Sequence, residues 1–355
     1  MGDQTHNPKP NGHLHHDNPP SRVVRSESLG VSIAMMAARP RAIILLAGGV
    51  RRTDLSAGLK RPLLDLPLPD QRSLLAVWRD HAADLAKVLH AEHMLVRAIV
   101  SRPLSLPRTV EQHPRVHIGA EYDAQTFRGT GGLLRDIAQD YHDDDRMLVM
   151  TANQILLRPL PELFELLAHA GGDIAMLTDP DDEDCGIALM RAGALRSIRA
   201  NGYIDFKEQA LSTLLTQFDV RVARSPRNAV LPVRTLEQYI RTLRALSDGK
   251  DEHDRPDPYE EEWTPTFSVV DPRATVEQGG LVHDSVVMRH AQVGAGAVLV
   301  RSVVCEYAKV PAGSMVFDTV VPSERATEDS TKTAQSSRRP TRKSSKARAV
   351  PEEID

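Results

Sequence analysis

Cysteine is nearly absent: Cys185 and Cys305 are the only two in 355 residues, and they stand far apart. That excludes a disulfide framework and fits a reducing compartment. Aromatic residues make up only 4% of the chain, so the core is expected to be aliphatic sheet-and-helix packing. No apolar run approaches the roughly 18 residues of a membrane span. The short block Val31–Ala38 is closed by Arg39 and Arg41, and no basic stretch opens the chain. Neither a membrane span nor a secretory leader is therefore expected, and the cytoplasm is the expected location. Neither sign of charge dominates, with 44 Lys and Arg against 48 Asp and Glu and a net charge of −4. Nothing in that balance calls for nucleic acid or an anionic membrane as partner.

What is present is an apolar fraction of 41%, enough for a sizeable core, and a length that suits one large domain with a smaller one and tails. The chain is organised around 42–66, AIILLAGGVRRTDLSAGLKRPLLDL. Ala42–Leu46 reads as a buried strand, after which Ala47-Gly48-Gly49 lets the backbone turn sharply. Arg51, Arg52, Lys60 and Arg61 follow. A glycine turn after a first strand, with cations beside it, is how α/β proteins receive phosphate; plain turn chemistry is the alternative reading.

From Arg41 onward apolar strands alternate with amphipathic helices. Ser73 caps a helix carrying Leu74, Leu75, Trp78, Leu85 and Leu89 on one face. Strands are expected at Met94–Val100, Arg115–Ile118, Met147–Thr151, Asp173–Thr178 and Cys185–Met190, with a helix over Pro159–Ala170. A second glycine turn, RGTGGLL at 128–134, opens a helix. Asp205 with Glu208, and Thr235 with Gln238, are capping-box starts. The alternation predicts an α/β fold: a mostly parallel sheet with helices on both faces.

The two ends read as tails, 1–40 and 322–355. His13, His15 and His16 in the first are expected to be solvated rather than metal-bound, and the basic cluster of the second lacks the interleaved aromatics of a nucleic-acid site. An acidic, proline-bearing linker is expected over 247–264. After it, Ser285–Leu299 aligns with Ser302–Val316 at an offset of seventeen residues, with identical residues at seven positions. Spaced valines with small residues between them predict stacked coils of a parallel β-helix over 265–321. His283 and His290 are its candidate general bases, but about three coils offer little concave surface, so exposed turn histidines are the expectation.

LAGG after the first strand, KRPLL downstream, RGTGGLL opening a helix and trailing hexapeptide repeats together resemble the sugar-1-phosphate nucleotidyltransferases, of the mannose-1-phosphate guanylyltransferase type. The resemblance implies a Rossmann-like domain over 41–246 and a short left-handed β-helix after it. It implies that a nucleoside triphosphate or nucleotide sugar contacts Ala47, Gly48, Gly49, Arg51, Lys60, Gly129, Thr130 and Gly132. Arg52 and Arg61 take the catalytic positions. It also implies Mg2+, if the chain is active, to neutralise the charge that builds on phosphate oxygens during in-line attack.

The departures matter as much. Val50-Arg51-Arg52-Thr53 shortens the first loop, and Arg61 stands where lysine is expected. Gln154 and Pro232 occupy the two positions at which the family carries its metal-binding aspartates, and neither suits a hard cation. Only Asp179–Asp184 remains of the segment that shapes the acceptor sugar pocket. The combined expectation is a nucleotide or nucleotide-sugar binding protein with weakened or lost catalysis, acting as a regulatory or structural subunit. It would associate with itself or with an active relative through the β-helix. The alternative is an active pyrophosphorylase, forming an NDP-sugar and pyrophosphate, with displaced metal ligands.

Overall fold

The computed structural model describes residues 32–48, 53–102, 104–123, 128–248 and 267–324. The first nine strands are β1 (Ala42–Leu46), β2 (Met94–Val100), β3 (Val116–Tyr122), β4 (Arg146–Thr151), β5 (Gln154–Leu156), β6 (Ile174–Thr178), β7 (Asp184–Arg191), β8 (Val220–Arg224) and β9 (Val230–Pro232). Seven of them form one sheet in the order β3-β2-β1-β4-β7-β6-β8. All its pairings are parallel except those of β7, which runs against both neighbours. The remaining two, β5 and β9, form a separate antiparallel pair.

Helices α1 (Ile33–Ala37), α2 (Asp54–Leu59), α3 (Leu74–Val88), α4 (Gly129–Ile137), α5 (Leu160–Ala170) and α6 (Ala192–Arg196) are joined by a π turn (Phe206–Ala210), α7 (Leu211–Gln217) and α8 (Leu236–Asp248). Alternate residues of a strand face opposite sides. Accordingly Ile43 and Leu45 of β1 join a core shared with α3 and α5, while Ala42 and Ile44 join a second core shared with α4 and α6. Ile33–Ala37, which the sequence assigns to the tail, is helical because Ser32 caps it and Met35 inserts fully into the first core. The expected linker lies outside the described residues except for its first two, which extend α8 to Asp248.

After residue 266 the chain makes ten short strands: β10 (Ser268–Val270), β11 (Thr275–Val276), β12 (Leu281–His283), β13 (Ser285–Val287), β14 (Gln292–Val293), β15 (Val298–Val300), β16 (Val303–Val304), β17 (Lys309–Val310), β18 (Met315–Phe317) and β19 (Val320–Val321). They stack as three parallel ladders, β10-β13-β16-β19, β11-β14-β17 and β12-β15-β18. Each step advances seventeen residues, as in Val286 to Val303, Gln292 to Lys309 and Leu299 to Val316. The interior row runs Val287, Val293, Leu299, Val304, Val310, Val316, so two sides of each coil take six residues and the third takes five.

A hydroxyl completes the short side. Ser285 Oγ donates to the His283 carbonyl at 2.6 Å and accepts the Ser302 N–H at 3.0 Å. Ser302 repeats this one coil later, donating to Val300 at 2.8 Å and accepting from Thr319 at 3.2 Å. These side chains supply the backbone partners that the missing residue would otherwise provide.

The coils are seated on the α/β body. Val269, Val286, Val303 and Cys305 belong to the same core as α3 and α5. Gly58 of α2 lies so close to β19 that a Cβ there would be 2.5 Å from Val320 Cγ1. Arg108 pairs with Glu306 and Arg244 with Asp284 across the seam. Burial pushes the Cys305 thiol up to about 12, and it also raises Cys185. In both, burial disfavours the thiolate.

Candidate functional site

The sheet order changes direction between β1 and β4, and at such a switch point the carboxyl ends of parallel strands open a crevice. A cleft of about 1260 Å³ lies there. Its floor is apolar, including Leu46 of β1, Val149 of β4 and Ala188 of β7. One wall carries Thr130 of α4 and the segment Tyr203–Glu208; the other carries Thr53 and Lys60 of α2, with Arg234 and Thr235 at the start of α8.

Both glycine turns reach this cleft. Ala47 and Gly48 line it directly, as does Thr130. Gly48 is glycine because a Cβ would collide with Ser101 Oγ on the neighbouring strand end. Gly129 has φ +71° and abuts the Ile204 carbonyl, while the Gly131 N–H donates to that carbonyl at 2.9 Å. Those contacts couple the first turn of α4 to the Tyr203–Glu208 segment of the same wall. Gly129 and Gly132 thus shape the turn rather than face the cavity, and Gly132 packs against Arg128. Gly49, Arg51 and Arg52 lie outside the described residues.

The two remaining cations of the first loop behave differently. Arg61 Nε donates to the buried carboxylate of Asp65 at 2.6 Å and its Nη2 to the Leu106 carbonyl at 3.3 Å. Asp65 also accepts the Arg108 N–H at 2.8 Å. Arg61 therefore neutralises a buried charge and holds the 104–108 loop while still lining the cleft. Lys60, at φ +53° as the last residue of the α2 turn, is exposed and has no ion pair with any described residue.

Gln154 and Pro232, aligned from sequence with the two metal-binding positions, are directly opposite each other in the β5–β9 ladder. Gln154 is 3% exposed and its Nε2 has no partner; Asn153, 8% exposed and lining the cleft, has an unpartnered Oδ1. Among the described residues no three His, Cys, Asp or Glu side chains come together. Two amides and a proline do not fit a divalent magnesium ion, which requires carboxylates or water around it.

The acidic segment is used elsewhere. Asp179 accepts the N–H groups of Asp181 and Glu183, both at 2.9 Å, and Asp182 pairs with Arg224. Asp184 pairs with Lys207 across the cleft wall. On the coils, His290 stacks on Tyr307 with ring centroids 5.0 Å apart.

Sequence reasoning missed the wall at Tyr203–Glu208. It found the cap, and Asp205 does accept the N–H groups of Lys207 and Glu208 at 2.9 and 3.1 Å. The reciprocal bond comes from Gln209 rather than Glu208, because the turn that follows is wound as π. That widening leaves Glu208 on the cleft side. Arg234, which lines the other wall, is likewise absent from the site residues expected from sequence.

No protein-family model matches this chain, and no curated protein matches it in sequence. Among solved structures it is similar to the crystal structure of HddC from Yersinia pseudotuberculosis, at 10% identity and a TM-score of 0.42. The match covers 58% of this chain and 99% of that one. No helix among the described residues is long and apolar enough to cross a membrane.

Proposed function

We propose that the cleft binds a nucleotide or nucleotide sugar on a sugar-1-phosphate nucleotidyltransferase-like scaffold, with catalysis weakened or lost. One observation carries the reading: Gly48 and Thr130, from two glycine turns far apart in sequence, line a single cleft at the strand-order switch point. The neutral pair Gln154 and Pro232 behind it supports binding without the metal clamp that phosphoryl transfer uses. The C-terminal coils are read as a left-handed β-helix that joins this chain to itself or to an active relative, as a regulatory or structural subunit. Leu281, Met315 and Phe317, exposed on the β12-β15-β18 face, support that role.

The test is a thermal-shift series with nucleoside triphosphates and nucleotide sugars, each with and without magnesium. Stabilisation by a nucleotide sugar that ignores magnesium is the expected result. Magnesium-dependent release of pyrophosphate from a triphosphate and a sugar 1-phosphate would instead establish the active pyrophosphorylase. Absence of stabilisation by every compound would refute nucleotide binding.

A further inference from the structure

Gln154 and Pro232 do not fit a divalent ion, yet a cation of the chain itself, Arg234, stands two residues after Pro232. We infer that Arg234 binds the ligand's phosphate in place of a metal, and that Asn153 accepts a hydrogen bond from a hydroxyl of the same ligand. This rests on the nucleotide-binding reading above and narrows its ligand to a phosphate ester that carries free hydroxyls.

Three observations converge. First, the backbone of Arg234 is clamped from both sides: its N–H donates to Gln238 Oε1 at 3.1 Å and its carbonyl accepts from Thr53 Oγ1 at 2.7 Å. Its side chain, by contrast, is exposed in the cleft and makes no hydrogen bond or ion pair with any described residue. With the backbone fixed and the guanidinium unpaired, its parallel donors are left to match phosphate oxygens. Second, Arg234 stands two residues before the thirteen-residue α8, and Thr235 between them, which receives the Gln238 N–H at 3.2 Å, lines the cleft too. The positive end of a helix dipole thus adds to the same side. Third, Asn153 is more than nine-tenths buried, lines the cleft and leaves Oδ1 without a partner. Its carbonyl accepts the Val233 N–H at 3.0 Å, which ties it to the residue before Arg234. A buried acceptor left unpaired is costly, so a ligand donor there is favourable.

The carboxylates of the cleft do not compete for Arg234. Asp184 pairs with Lys207 and Asp205 caps its own turn, while Glu208 sits with them on the Tyr203–Glu208 wall. Glu237, in the first turn of α8, is exposed and does not line the cleft.

The experiment is titration calorimetry on the full-length protein with GTP, glucose 1-phosphate and inorganic pyrophosphate, each in EDTA and in magnesium. Guanosine and glucose serve as phosphate-free controls. The wild type is expected to bind at least one phosphorylated probe in EDTA and neither control. Arg234→Ala should weaken that binding about ten- to a hundredfold, the range of a charged hydrogen bond, and Arg234→Lys should restore part of it. Asn153→Ala should weaken GTP or glucose 1-phosphate and leave pyrophosphate unchanged. Because the exposed Arg234 side chain makes no hydrogen bond or ion pair with any described residue, the melting temperature of Arg234→Ala should stay close to that of the wild type. Unchanged affinity in Arg234→Ala, or wild-type binding that requires magnesium, overturns this inference and leaves nucleotide binding standing. Failure of every probe to bind the wild type overturns both.

Discussion

The seam between body and coils makes a quantitative claim about alkaline pH. Cys305 is 1% exposed, packed in the core shared with α3 and α5, and its thiol is raised from 9.0 to about 12, chiefly by burial and then by Glu306. A folded-state pKa above the unfolded one means that the native chain keeps its proton while the unfolded chain loses it. The associated stability is fully present below about pH 9 and is lost as pH rises towards about 12. At about pH 10 the unfolded thiol is one unit past its midpoint, which costs roughly 1.4 kcal/mol. Urea unfolding of the wild type and of Cys305→Ala at about pH 8 and about pH 10 isolates this effect. The variant carries a constant cavity cost at both pH values. Tyr239, raised by burial and then by Cys305, keeps its proton in both folded proteins at about pH 10 and so contributes nearly equally to each. The stability gap between the two proteins should therefore narrow by roughly 1.4 kcal/mol on going to the higher pH. Parallel losses would refute the reasoning, because they require the thiol to be solvated in the folded state.

Two substitutions probe close backbone approaches. Gly294→Ala puts a Cβ 2.5 Å from Ala312 N and 2.8 Å from its Cα in the next coil. Backbone cannot swing aside as a side chain can, so about 1–3 kcal/mol of overpacking is expected in a thermal melt; an unchanged melting temperature would count against the stacking. Gly129→Ala meets the Ile204 carbonyl at φ +71°. The strain and clash together should cost more than about 1 kcal/mol and abolish ligand-induced stabilisation, since Thr130 moves with that turn. A variant that melts and binds like the wild type would show that the α4 turn is not set by this contact.

Much of the architecture was legible in residue order. β1 and β2 occupy the expected Ala42–Leu46 and Met94–Val100, because short aliphatic runs bounded by turn residues have few other uses. The parallel pairing after residue 266 was legible because a repeat records a stacking register directly, and the observed pairs keep the seventeen-residue offset. β8 was not legible: Arg221, Val222 and Arg224 are exposed, so this edge strand lacks the apolar signature. Nor was α2, whose six residues include a glycine; it exists through the reciprocal Thr53–Ser56 cap and its packing against β19. In the site, the two glycine turns could be read but the destination of each charge could not. Arg61 looked free beside the first turn, yet Asp65 lies one helical turn further on and claims it. Arg234 carries no sequence signal of its own, and only the backbone bonds with Thr53 and Gln238 reveal where it is held.

The shortest helix of the cleft wall has a consequence for how the molecule is divided. α2, with its caps, presents Thr53, Ser56 and Lys60 to the cavity and rests its back, at Gly58, on Val320 of β19. Six residues are too few to stay wound unaided. Trimming the chain before Phe267 would thus remove the buttress of the ligand chamber, and what looks like a detachable appendix is a foundation for the pocket's own masonry.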